Sequence, residues 1–227
     1  MSRVIAIAGA KGSPGCSFLA VALARRLADG QTSTLLVDAD AEGGGTAAAL
    51  DLGPAANADS VDEPPMQVDQ NLWFAEIGQG RGEAFNCFQW LTDARTRHEA
   101  VIVDLGHSSR AMQRQLSAAA DWLLWVVVPD RSGLQRADAA LSSSELSAAS
   151  VGLAFNRIGR GCLAGAEEAL AGRHHLPVLA RFADDRRVAE RMALGLAVHR
   201  SRRVRGPLSD LARSVQLGAG KGVAPWQ

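Results

Sequence analysis

The chain has 227 residues, enough to bury the core of one large α/β domain. Apolar residues make up 47% and charged residues 21%, the balance of an ordinary globular protein. Lys+Arg and Asp+Glu are equal at 24 each, so no global field recruits nucleic acid or an anionic membrane, and only a local basic patch could do so. The positive charge is almost all arginine, with lysine only at Lys11 and Lys221. Cys16, Cys87 and Cys162 are odd in number and widely spaced, which argues against a disulfide framework or a zinc site and for a reducing compartment.

Short apolar runs alternate with longer amphipathic ones. Val4 to Ala8 predicts a buried strand, followed by a Gly-rich loop and a helix from about Ser17 to Ala28. Thr34 to Val37 predicts a strand ending at Asp38. Residues 43–71 are rich in Gly, Pro, Asp and Asn and predict an irregular excursion with a short helix near 46–50. A strand is expected over Leu72 to Ile77, a helix over 82–96, and a strand from Ala100 to Val103 ending at Asp104. Then come a helix near 109–119, a strand over Trp122 to Val128 and a helix over 133–148. Val151 to Phe155 predicts a strand ending at Asn156, with a helix near 164–172 after it. The last strand is expected over Pro177 to Phe182 and a helix over 185–194. A final amphipathic helix is expected to start after Pro207, with Leu208, Leu211, Ala212 and Val215 on one face. Strands of near-continuous apolar character, each followed by a helix, give an α/β fold: a mostly parallel central sheet with helices on both faces. Ligands of such sheets bind at the carboxyl ends of the strands, where Lys11, Asp38, Asp104, Asn156 and Asp184 fall. Residues 1–217 are expected to form one domain, and residues 218–227 a flexible C-terminal tail.

The first loop, Gly9-Ala10-Lys11-Gly12-Ser13-Pro14-Gly15-Cys16-Ser17, follows a strand and opens a helix. It fits the phosphate-binding pattern G-x-x-x-x-G-K-[ST] everywhere except at the lysine, which is Cys16. Backbone N–H groups and the positive end of a helix hold phosphate oxygens in such loops, and a hydroxyl at Ser17 would ligate Mg²⁺. Loss of the lysine removes a charge-assisted contact of about 1.5–3 kcal/mol, and Pro14 removes one N–H. Cys16 sits at a helix N-terminus, where a thiol's pKa is expected to fall, but no His or Asp partner for it is evident in the sequence.

Lys11-Gly12-x-x-Gly15-x-Ser17 resembles the deviant Walker A motif of the ParA/MinD ATPases. By that resemblance Lys11 is the signature lysine that reaches across a dimer to the partner's nucleotide. Leu35 to Asp40 resembles the family's second motif, implying that Asp38 lies near Mg²⁺ and that Asp40 positions the attacking water. Val101 to Asp104 resembles the Walker B strand, whose aspartate holds the metal through water. Asn156-Arg157 resembles the N-R pair beside the adenine, and Phe182-Ala183-Asp184-Asp185-Arg186 with Gly195 resembles the closing segment beside the base. The resemblance runs in order from about residue 3 to 215. It is nearest to the CpaE/TadZ branch, whose L-V-D-A-D-x-x-G-G-G is matched by Leu36 to Gly45 and whose D-D-R-R is matched by Asp184 to Arg187. The branch's R-x-G-P-L-x-x-L-A-R ending is matched, with small changes, by Arg203 to Arg213.

The resemblance implies a P-loop NTPase fold and a site for ATP and Mg²⁺. Lys11 and Asp40 take the catalytic roles. Gly9, Lys11, Gly12, Ser13, Gly15, Cys16, Ser17, Asn156, Arg157 and Ala183 line the nucleotide, and Ser17, Asp38 and Asp104 surround the metal. It also implies a nucleotide-linked homodimer serving a pilus or secretion machine or division-site placement, with weak or absent hydrolysis because Cys16 replaces the lysine. A nucleotide-free pseudo-ATPase scaffold and a ParA-like DNA-partitioning ATPase stand as alternatives. Arg200, Arg202, Arg203 and Arg205 form a positive cluster that in ParA-type dimers binds DNA without sequence preference. Capping is the other reading of Ser17, since serine is a preferred N-cap. His174 and His175 are expected at a helix C-terminus. No signal peptide or integral membrane segment is visible, so a cytoplasmic protein recruited to a pole or septum is expected.

Overall fold

The computed structural model describes residues 2–10, 15–40, 45–52, 64–77, 87–106, 110–143, 148–159 and 161–217. Eight strands form one sheet: β1 (Arg3–Gly9), β2 (Thr34–Asp38), β3 (Met66–Asp69), β4 (Leu72–Glu76), β5 (Ala100–Asp104), β6 (Trp122–Val127), β7 (Ser150–Ile158) and β8 (Val178–Ala183). Their order is β3-β4-β2-β5-β1-β6-β7-β8, and every pair is parallel except β3 with β4. The helices are α1 (Cys16–Asp29), α2 (Gly45–Ala49), α3 (Cys87–Arg97), α4 (Arg110–Ala118), α5 (Arg131–Ser142), α6 (Ala166–His174), α7 (Arg186–Ala193) and α8 (Arg202–Leu217).

Alternation along β1 sorts the core into two layers. Ile5 and Ile7 join Leu19, Leu23 and Leu208 on one face, packed by α1 and α8. Val4, Ala6 and Ala8 join Leu91, Leu116 and Ala137 on the other, packed by α3, α4 and α5. The central strands β1, β2, β5 and β6 are buried on both faces, which explains their continuous apolar runs.

The structure departs from the sequence reading in three main places. The helix expected over 133–148 runs over Arg131–Ser142 and is closed by Ser143 in an extended conformation. Met66–Asp69, read as part of an irregular excursion, is an antiparallel edge strand. Its residues are exposed or half-buried, so no apolar run marks it. Helix α8 begins at Arg202 and carries Pro207 inside it. The helix starts on Ser201, whose carbonyl accepts from the N–H groups of Val204 and Arg205. Pro207 forgoes the hydrogen bond its missing N–H would have made to the Arg203 carbonyl and its ring crowds that carbonyl, a cost set against a helix whose Leu208, Leu211, Ala212 and Val215 are buried as expected.

The 218–227 tail lies outside the described residues, as do Lys11, Gly12, Ser13 and Pro14 of the first loop. Among the described residues no helix is long and apolar enough to cross a membrane. His174 closes α6 and bonds Asp138 at 2.8 Å, and His175 caps it in a left-handed conformation.

Candidate nucleotide and magnesium site

The site lies where β1, β2 and β5 end. Parallel register sets Asp38 directly opposite Asp104, and Ile7 opposite Asp104 on its other side. Both aspartates are buried, 1% and 0% exposed. Asp38 Oδ1 accepts the Asp40 N–H at 3.0 Å, and Asp104 Oδ1 accepts the Gly106 N–H at 3.1 Å. Thr46, fully buried in α2, donates its hydroxyl to Asp104 Oδ2 at 3.0 Å, and Ser17 also hydrogen-bonds that carboxylate. Thr46 borders Asp38 as well, but its single hydroxyl proton goes to Asp104. The Thr46 backbone N–H also faces the Asp38 carboxylate, yet Asp38 Oδ2 itself is buried with no partner at hydrogen-bond geometry among the described residues.

This arrangement is electrostatically unfavourable without a cation. Burial, and after it the neighbouring Asp38 charge, pushes the Asp104 carboxyl up to about 6 against the hydrogen bonds it accepts. Burial likewise raises Asp38, against the N–H that Asp40 donates to it and with the Asp40 charge adding to the rise. An orphaned buried carboxylate oxygen beside a second carboxylate and a serine hydroxyl is a hard-oxygen donor set suited to Mg²⁺, which uses one or two carboxylates and fills its shell from phosphates and water. Among the described residues no group of three or more His, Cys, Asp or Glu side chains gathers to hold a metal alone. A cation here would therefore draw its remaining ligands from what it binds with.

Helix α1 is entered through Gly15, in the left-handed region at φ 98, ψ 34, with no side-chain cap. Ser17 is therefore inside the helix and not its N-cap, which removes the capping explanation for it. A Cβ on Gly15 would collide with the Asn156 side-chain amide, so the loop passes against the end of β7 because residue 15 is glycine. Asp40 lies in the same way against Gly106, whose Cβ would meet its carboxylate.

Cys16 is the main correction to the sequence reading. Its thiol is 6% exposed within the apolar layer of α1, and burial, followed by the Asp104 and Asp40 charges, raises its pKa well above the usual thiol value. The helix N-terminus does not win, because desolvation and two carboxylates oppose the thiolate. A thiol reagent should therefore modify Cys162, which is partly exposed, at least about 100-fold faster than Cys16 in the folded protein. Equal rates measured by mass spectrometry of the labelled peptides would contradict that burial.

A cavity of 360 Å³ opens beside Gly15 and Ser17. Of the residues expected beside the base, Asn156, Arg157 and Ala183 all line it. The sequence did not single out Phe18, Ala48 or Met192, and it placed Arg203 in a free basic cluster; these four residues complete its walls from α1, α2, α7 and α8. Phe18 and Phe182 meet edge to face at 5.6 Å on its apolar side. Arg203 is held by Asp185 at 3.2 Å. Arg200 is held by Asp29 at 2.9 Å, so two of the four arginines expected to form a free basic cluster already serve ion pairs.

No protein-family profile and no curated protein matches the sequence. Solved structures do match the fold. The Pyrococcus furiosus cell division ATPase MinD aligns with a TM-score of 0.75 at 18% identity, over 94% of this chain and 98% of its own. The septum site-determining protein MinD of Pyrococcus horikoshii, complexed with Mg-ADP, gives 0.74 at 18% identity over 93% and 95%. A Cyanothece McdA variant in complex with ATP gives 0.74 at 16% identity over 98% and 99%. The eight-stranded, mostly parallel sheet with helices on both faces is thus the MinD/ParA P-loop NTPase fold.

Proposed function

We propose that the chain is an ATP- and Mg²⁺-binding localisation or assembly factor of the CpaE/TadZ kind, which dimerises on nucleotide and hydrolyses it weakly or not at all. One observation carries the reading. Ser17, Asp38 and Asp104 converge at the strand ends with a buried carboxylate oxygen unsatisfied, immediately beside the Gly15 turn and the 360 Å³ cavity. The Mg-ADP and ATP complexes of proteins with this fold support it.

In this reading the base enters the cavity between the Phe18–Phe182 pair and α7, with Asn156 at its edge. Ser17, Asp38 and Asp104 would hold the magnesium ion, whose role is to neutralise phosphate charge. Asp40, beside Gly106, would orient water. Lys11 would act across the dimer, and Gly12 and Ser13 would complete the loop around the phosphates. Weak turnover follows from Cys16: a buried neutral thiol stands where a cation would stabilise charge on the transferred phosphoryl group. The dimer would recruit a pilus or secretion machine or a division-site protein from the cytoplasmic side.

Calorimetric titration with Mg·ATP tests the reading, with micromolar binding expected. No heat up to millimolar nucleotide would make the chain a nucleotide-free scaffold. Cys16→Lys should strengthen ATP binding by about 10- to 100-fold, the value of one charge-assisted contact of roughly 1.5–3 kcal/mol. An unchanged dissociation constant in that variant would show that position 16 does not face phosphate.

A further inference from the structure

The segment joining α7 to α8 carries a charge that the chain-wide balance conceals. Residues 186–205 contain seven arginines and one acidic residue, Glu190. Glu190 is tied to Arg186 at 2.7 Å, Arg200 to Asp29, and Arg203 to Asp185. Arg187, Arg202 and Arg205 are exposed and pair with no carboxylate among the described residues. Arg191, also exposed, donates to the Ala197 carbonyl at 3.2 Å. Arg187 and Arg191 are four residues apart on α7 and so share one helix face.

In the middle of this stretch stand two of the exposed large apolar residues of the protein, Leu194 at 69% and Leu196 at 45%. They flank Gly195, which has φ +66 and lies so close to Asp51 that a Cβ would come within 2.8 Å of the Asp51 Cβ. The Leu196 N–H is bonded to the Arg191 carbonyl at 2.9 Å and the Gly195 N–H to that of Met192 at 3.1 Å. The turn is thus fixed at both ends, and it holds its leucines in water.

We propose that this turn docks the protein on an anionic lipid surface, with Leu194 and Leu196 entering the headgroup–acyl boundary and Arg187, Arg191, Arg202 and Arg205 facing lipid phosphates. The combination distinguishes this partner from others. A protein interface of ordinary size buries about 800 Å² a side and concentrates aromatic anchors, whereas residues 186–205 contain no aromatic residue. A nucleic acid would engage the arginines but gives a leucine pair nothing to enter. A bilayer surface takes both: each arginine near it contributes about fivefold in partition, and each inserted leucine about tenfold or more. Docking of this kind does not depend on nucleotide, although the other side of α7 walls the cavity.

Flotation of the full chain with phosphatidylcholine vesicles containing about 30% phosphatidylglycerol, and with phosphatidylcholine alone, tests it. The protein should float with the anionic vesicles and stay behind with the neutral ones. The double variant L194Q/L196Q should bind at least about 100-fold more weakly, as two lost leucines require, with an unchanged melting curve. R187E/R205E should abolish binding. No flotation with anionic vesicles overturns the proposal. Vesicle binding by L194Q/L196Q equal to the parent's also overturns it, leaving simple adsorption through arginine. Tighter binding to double-stranded DNA than to vesicles, indifferent to the leucines, would make this a nucleic-acid face instead.

Discussion

Replacing Asp104 with asparagine should make the metal-free protein more stable, not less, at neutral pH. Asp104 is wholly buried, and burial with the Asp38 charge behind it lifts the carboxyl to about 6. In the unfolded chain the same group ionises near about 3.9. Between those values the folded state holds the proton that the unfolded state has lost, so stability falls as pH rises. The contribution is fully present below about pH 4 and has gone above the folded value of about 6. A gap of roughly two units is worth about 3 kcal/mol. Asparagine removes the charge but points an amide at donors already in place, which returns about 1 kcal/mol. A net gain of about 2 kcal/mol raises the melting midpoint by roughly 4–8 °C for a chain of this size. Calorimetric scans in chelator at about pH 7.5 and about pH 4 check it: the variant should melt higher at the first and match the parent at the second. The same variant should lose Mg²⁺-dependent ATP binding by at least about 100-fold, since a buried carboxylate ligand cannot be replaced by a neutral amide. A variant that melts below the parent at pH 7.5 would mean that Ser17, Thr46 and Gly106 already satisfy the ionised carboxylate.

The second large effect is expected at Gly15, where stability and binding should both fall. The left-handed backbone at φ 98 costs any other residue about 1–2 kcal/mol. The added Cβ would also drive the Asn156 amide from its place at the cavity. Gly15→Ala should therefore lower the midpoint by roughly 3–8 °C and weaken ATP at least about tenfold. An asparagine at the same position tolerates the backbone better, so Gly15→Asn should recover part of the stability but none of the affinity. If both variants bind ATP like the parent, the cavity beside Asn156 is not where the base sits.

What could be read from the sequence was what repeats locally. Val4 to Ala8, Ala100 to Val103 and Trp122 to Val127 are apolar on both faces because helices cover both sides of the sheet, so the parallel core was visible at once. Asp38 and Asp104 were legible because a polar residue closing an apolar strand stands out, and the register places them opposite each other. Thr46 was not legible. It sits in a Gly- and Ala-rich stretch with no periodicity, and only the packing of α2 against α1 turns its hydroxyl toward Asp104. The pKa of Cys16 was misread for a related reason, since a helix N-terminus is visible in sequence while burial and two distant carboxylates are not. Edge strand β3 escaped because an edge needs no apolar run, and the start of α8 escaped because Pro207 looked like a beginning.

The two borders of the sheet constrain how copies of this protein can meet. One border is β3, four residues long, reversed in direction and polar at Gln67 and Asp69. The other is β8, packed by α8, with Arg181 clamped to Glu167 and Glu168. Neither offers the long, flat, apolar ladder on which a second sheet could grow. Crowding many copies into a small area would then not seed strand-to-strand aggregation. Association is left to loop and helix surfaces, where it can be made and undone.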